Sequence, residues 1–407
     1  MKKSLLKKYA ELIVRSGIAL KKGQSVVIRC NTEIEKFAAL VVEECYRAGA
    51  KYVIVDWSSE LCTKITLKKG KKENLAQVLP YQEAKQAWMS EELPCMIWLD
   101  SDDPDGMKGV DAGKVAYIRR KSYEVLAKYI EARSNRYQWC IVGVPSAAWA
   151  KKVFPDLPKG KAIEKLWENI LAVSRADDGN GIKNWEKHDA FLKERCAYLN
   201  SLNLKSLHYT SSNGTDLTVG LIPGVKFLGG GEEILTGAYF QPNIPSEECF
   251  TSPMKGEAEG IVYSAKPLSY NGQLIDNFWV KFHEGKAVDV HAEKGEEALR
   301  SILSLDEGAA YLGECALVPY DSPINNTGLL FYNTLFDENA ACHLALGRGF
   351  TNLYPNFEKY TEEEIYKFGI NKSMSHVDFM IGSKDLSIVG TTADGREVQI
   401  FKNGNWA

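Results

Sequence analysis

The stretch SVVIRCNTEIEKFAALVVEECYRAGAKYVIVDW, residues 25–57, decides the architecture of the first half of the chain. SVVIR (25–29) is a short apolar run and reads as a buried strand. Glu33 to Ala48 carries a helical pattern, and KYVIVDW (51–57) is a second strand. The alternation continues with CMIWLD (95–100) and WCIVGVP (139–145). Helical stretches lie between them, notably Val115 to Arg133. Strand–helix–strand repetition predicts an α/β domain with a mostly parallel sheet covered by helices.

Such sheets often bind nucleotides, but the signature is missing here. The first strand runs into CNTEIEK with no G-x-G-x-x-G, and no P-loop pattern occurs. The triple glycine in FLGGGEE (227–233) comes too late and follows no βαβ unit. The acids of LDSDDPD (99–105) read as a solvated turn rather than a metal loop. The lysines of KKGKK (68–72) read as a solvated turn or helix end.

The character changes after a helical stretch from about 156 to 200. LHYTSSNGTDLTVGL (207–221) reads as a strand pair around Asn213-Gly214, a hairpin signal. Further turns are expected at Asn271-Gly272, Glu284-Gly285, Asp394-Gly395 and Asn403-Gly404. The second half is therefore expected to be an α+β domain rich in antiparallel strands, with a few helices such as Glu296 to Leu303. The boundary between the two domains is expected near residue 190, giving 1–190 and 191–407.

Composition excludes several function classes. Of 407 residues, 45% are hydrophobic and 25% charged, as in ordinary globular proteins. A formal net charge of -3 argues against broad nucleic-acid or anionic-membrane binding. The nine cysteines are scattered without a C-x-x-C pair, which fits reduced thiols and a cytoplasmic location. No stretch is apolar and long enough for a signal peptide or a membrane span.

Candidate chemistry gathers in the second half. In SHVDFMIG (375–382), residues two apart on a strand face the same way, so His376 and Asp378 project together. Burying that carboxylate is costly unless it orients the histidine or binds a metal. His343 lies in FDENAACHLALGRGF (336–350), whose Ala and Leu content predicts a packed helix ending at Gly347. Asp337 is a candidate helix cap or neighbouring partner there. Glu314, in YLGECALVP (311–319), is an acid in an apolar run and wants a cation. Of Glu247 and Glu248 in NIPSEECFTSP (243–253), only one is expected to face a given site. His188, His208, His283 and His291 read as ordinary surface or core histidines. Glu248, Glu314, Glu338, His343, His376 and Asp378 together exceed the needs of one metal and suit a two-metal site.

The blocks SHVDFMIG, FDENAACHLALG, LGECALVP, NIPSEECFTSP and NGTDLTVGL, with the tail GTTADGREVQIFKNGNWA, resemble the thermophilic-type metalloaminopeptidases, peptidase family M29. The resemblance spans essentially the whole chain. It implies an exopeptidase that removes N-terminal amino acids from peptides with a free N-terminus, using two divalent ions (zinc, cobalt, manganese or magnesium). It places the metal-binding residues at Glu248, Glu314, His343, His376 and Asp378, with Glu314 or Glu338 as the proton-transferring carboxylate. It also implies a homodimer, with 1–190 as scaffold and dimerisation domain and 191–407 as metal-binding catalytic domain; the charge balance leaves neither nucleic acid nor membrane as an expected partner. One position departs from the family pattern. A tyrosine is expected seven residues after the DENAA-block histidine, and Phe350 stands there. A phenylalanine cannot donate to a developing oxyanion; either Tyr354 substitutes, or rate or substrate is altered. A related amidase with a changed substrate, or a metal- or peptide-binding protein with a slowed site, is the alternative reading.

Overall fold

The computed structural model describes residues 1–407. The chain forms two compact units, Met1–Glu186 with Gly231–Ile244, and Lys187–Gly230 with Pro245–Ala407.

In the first unit, β1 (Val26–Asn31), β2 (Val53–Ser58), β3 (Cys95–Asp100) and β4 (Trp139–Gly143) form the expected parallel sheet. Its order is β2-β1-β3-β4, and Asn243–Ile244 adds a fifth parallel strand beside β4. β1 is buried on both faces, which is why its sequence is a continuous apolar run rather than an alternation. Helices Lys3–Leu12, Glu35–Arg47 and Lys159–Val173 meet through Tyr9, Phe37 and Trp167. Met89, from helix Pro80–Glu92, packs with Val27 and Met96. β2 is an edge strand and leaves Ile54 and Trp57 exposed.

The second unit is built from two antiparallel sheets. The larger one contains Leu204–Thr210, Asp216–Leu221, Pro253–Tyr263, Gln273–His283 and the C-terminal strands from Ser387 onward. Its hairpins turn where sequence expects. Asn271, Glu284 and Asn403 each take positive φ before a glycine that does the same, as a tight two-residue turn demands. The smaller sheet has four strands in the order Cys249–Thr251, Leu312–Leu317, His343–Gly347 and His376–Met380. Cys315, Leu317, Leu344, Leu346, Val377 and Phe379 share one hydrophobic core with residues of the larger sheet such as Leu207, Tyr209, Val219 and Val280. Alternation then puts Glu314, His343, Ala345, His376 and Asp378 on the opposite face.

One expectation is overturned. The Ala/Leu-rich run around His343 is not a helix: the helix covers only Thr334–Glu338, and His343–Gly347 is a strand. Every residue of this strand is buried. A short apolar run buried on both faces carries no period that separates strand from helix, and tertiary packing overrides the helix propensity of Ala and Leu.

Candidate metal centre

The register of the small sheet sets the site. Glu314 pairs with Ala345, and Ala345 pairs with Asp378, so the two carboxylates flank an alanine across three strands. Neighbouring strands are about 4.8 Å apart, so the alanine leaves a gap between the flanking acids. His343 lies two residues before Ala345 on the same face, and His376 pairs with Gly347. Gly347 has φ +105, and a Cβ there would stand 2.2 Å from the Ser375 carbonyl oxygen, so no other residue fits where the strand turns. Glu248 immediately precedes the edge strand Cys249–Thr251. Cys249 belongs to the core, and Glu248 is turned to the site. Gly229 allows this approach, because a Cβ there would meet the Glu248 carbonyl oxygen at 2.3 Å. Gly229 is thus required by close packing against the Glu248 backbone.

The side chains converge in two groups. His343 Nε2 lies 3.1 Å from Glu248 Oε2. His376 Nε2 lies 3.0 Å from Glu314 Oε2 and 3.1 Å from Asp378 Oδ1. Ligand atoms of Glu248, Glu314 and His343 all fall within 4.8 Å of one another, as do those of Glu314, His376 and Asp378. Glu314 belongs to both groups. Glu338 is partly accessible and lies among the charges of Asp378, Glu248, His343 and Glu314. Glu247 faces the other way, with its carboxylate 3.7 Å from His188 Nε2.

These donors fit divalent cations. Each histidine has its Nδ1 against a backbone carbonyl oxygen, Ala341 at 3.2 Å for His343 and Arg348 at 2.7 Å for His376. Donation from Nδ1 leaves Nε2 as the nitrogen facing the carboxylates, the one that would bind an ion once its proton is displaced. Ligands about 2.1 Å from a common ion stand roughly 3.0–3.4 Å apart, close to the spacings found here. Asp378 Oδ1 is buried, and His376 Nε2 approaches it at 3.1 Å. The electrostatics agree. Burial alone would push the His343 imidazole down, but the Glu248 carboxylate outweighs it and holds the pKa up at about 10. His376 is raised in the same way, burial being outweighed by Asp378 and Glu314. Burial pushes Glu314 up against the pull of His376, and burial followed by Asp378 and Glu248 pushes Glu338 well up. A field that holds protons on two buried imidazoles is one in which divalent ions displace them.

Comparison with known proteins now bears on this geometry. The family profile described as Thermophilic metalloprotease (M29) matches residues 2–406. The chain belongs to this metalloprotease family. It is 41% identical to aminopeptidase AmpS of Bacillus subtilis (strain 168), covering 99% of this chain and 98% of that one. It is 40% identical to aminopeptidase 2 of Geobacillus stearothermophilus, over 99% and 97% of the two chains. The solved structure of wild-type AmpT from Thermus thermophilus superposes with a TM-score of 0.90 at 36% identity, covering 100% of this chain and 99% of that one. As an M29 member the protein is a metal-dependent hydrolase, and Glu248, Glu314, His343, His376 and Asp378 form the two side-chain groups that share Glu314.

Other expectations resolve individually. Phe350 lies beside the site, its ring centroid 5.0 Å from that of His376 and 5.3 Å from that of Phe250. Tyr354 stacks on Phe368 at 4.8 Å in the cluster of Ile222, Ile365 and Ile370, so its ring is committed to a different core. Asp337 is not the helix cap, a position held by Asn333; it lies inside the helix and accepts from the backbone N–H groups of Phe331 and Asn333, at 2.8 and 3.0 Å, so it acts as the neighbouring partner that pins the segment leading into the helix. His208, His283 and His291 pair with Asp216, Glu259 and Glu296. All nine cysteines are free. Sequence reasoning missed Asn339. This fully buried amide accepts from the Glu247 N–H at 2.7 Å and donates to Leu335 O at 2.9 Å. An amide inside the apolar run after Asp337 and Glu338 was the available signal.

Proposed function

We propose that the protein is an aminopeptidase that releases N-terminal residues from peptides at a two-metal centre. The observation that carries this is the sharing of Glu314 between two ligand groups. Glu248 and His343 would hold one ion, His376 and Asp378 the other, and Glu314 would bridge them. Bound divalent ions supply Lewis acidity, polarising the peptide carbonyl and lowering the pKa of the attacking water. Glu338 lies outside both ligand groups but within their field, which suits it to take the water proton and pass it to the leaving amine. The substrate's free α-amino group would complete the carboxylate-rich site, which confines cleavage to the first residue.

The test is a panel of free-amino and N-acetylated dipeptides, assayed after chelation and after return of zinc, cobalt, manganese or magnesium. Metal-restored cleavage of the free-amino peptides alone is expected. Cleavage of acetylated peptides as well, or none with tightly bound metal, overturns the reading. A second reading, an amidase for another amine-terminated substrate, is favoured by Phe350, which puts a bare ring beside His376. Cleavage restricted to non-peptide amides supports it.

We also propose a cytoplasmic homodimer in which the first unit serves as scaffold and contact surface and the second as catalytic domain. Support comes from Trp57, Leu61, Ile65 and Tyr81, large apolar side chains left exposed on or after the edge strand β2. No helix is long and apolar enough to cross a membrane. A dimer by sedimentation that dissociates on Leu61→Glu or Trp57→Lys is expected; dimers that survive both changes rule out this surface.

A further inference from the structure

The link between Glu248 and the rest of the site runs through one peptide group. Residues 245–248 form neither helix nor strand, and Pro245 has no N–H to give. Within this segment the peptide between Ser246 and Glu247 is held from both sides. His188 Nε2 donates to the Ser246 carbonyl oxygen at 2.7 Å, and the Glu247 N–H donates to Asn339 Oδ1 at 2.7 Å. His188, Ser246, Glu247 and Asn339 are all buried. The orientation of the Asn339 amide follows from its neighbours, since only its oxygen can accept an N–H while its nitrogen faces Leu335 O and, at 3.4 Å, Glu338 Oε1.

Rotation of that peptide would turn the chain one residue before Glu248 and swing its carboxylate away from His343. The hands on the peptide come from different elements, His188 from helix Gly181–Ser201 and Asn339 from the end of helix Thr334–Glu338. Asn339 also touches the second carboxylate that the reaction needs, Glu338. We infer that Asn339 and His188 are positioning residues that lock the Ser246–Glu247 peptide, and that Asn339 couples the placement of Glu248 to that of Glu338. This rests on the metal-centre reading above. It assigns to both residues an outer-shell role at the Glu248–His343 corner and none at the His376–Asp378 corner.

The experiment is cobalt binding to metal-stripped full-length protein, followed by calorimetry and visible absorption, with kcat and KM measured alongside. Asn339→Ala and His188→Phe should each weaken one of the two ions by about 10–100-fold and leave the other unchanged. His188→Gln keeps a donor for the Ser246 carbonyl and should restore binding. Asn339→Asp keeps the acceptor for the Glu247 N–H but has no donor for Glu338. It should bind cobalt nearly as the wild type does while kcat falls and KM holds. The His188 pair carries the test through the opposite end of the peptide, independently of the Asn339 variants. Wild-type affinity for both ions in Asn339→Ala and His188→Phe overturns the inference, as does equal weakening of both ions, which marks general loosening. A wild-type protein that binds no ion overturns the metal-centre reading itself.

Discussion

At the scale of single residues, the site depends on what each side chain can donate or accept. His343 and His376 are fixed by backbone carbonyls at Nδ1, so each has one nitrogen left for an ion. Phe350 sits where the family resemblance expects a hydroxyl, with its ring against His376 and its own N–H donating to Ser252 Oγ at 2.9 Å. Tyr354 is packed elsewhere and makes no such contact in its stack with Phe368. Phe350→Tyr should therefore raise kcat/KM on free-amino dipeptides, by up to about 10²-fold, the value of one well-placed oxyanion donor. An unchanged rate on every peptide tested would show that this position supplies no such donor. The pairing of His376 with Asp378 was legible in eight residues, because a strand has period 2. The pairing of Glu248 with His343 was not, because the residues are far apart in the chain and meet only through the sheet.

At the scale of elements, the small sheet is the device that brings the ligands together. Its core face is apolar and fixes the register, since a one-residue slip would turn Leu344, Leu346, Val377 and Phe379 out of the core. With the register fixed, Ala345 falls between Glu314 and Asp378. A larger side chain there would occupy the space between the two acids. Ala345→Val should cost at least about 10²-fold in kcat/KM, roughly 2.7 kcal/mol, together with loss of bound metal, whereas Ala345→Gly should retain metal. A valine variant with full metal content by elemental analysis would remove the gap from the argument. Reading 340–347 as a helix failed at this scale. The run is apolar on both faces, and only the strands on either side tell the chain to extend.

At the scale of the whole molecule, the second unit carries Glu248, Glu314 and Asp378 buried near one another. Such a concentration of carboxylates is stable only when cations or protons offset it. Ions bound to the native state add about 2.7 kcal/mol per site at a hundred times the Kd. Chelation should therefore lower the unfolding midpoint by roughly 5–10 °C per ion at neutral pH. A midpoint indifferent to chelator would mean that the carboxylates are offset by protons alone. The parallel sheet of the first unit was legible throughout, since each of its strands is a local apolar run between helical segments.

Local pattern alone determined the α/β first half, the hairpin-rich second half, the absence of a nucleotide signature and the shared face of His376 and Asp378. Each of these depends on the period or chemistry of a short segment. Resemblance of the sequence blocks supplied the family. Tertiary structure decided the rest: the strand at His343, the alanine gap between Glu314 and Asp378, the opposite facing of Glu247 and Glu248, and the grip of His188 and Asn339 on one peptide. These are contacts between segments distant in the chain, and no local period encodes which distant strand will lie beside another.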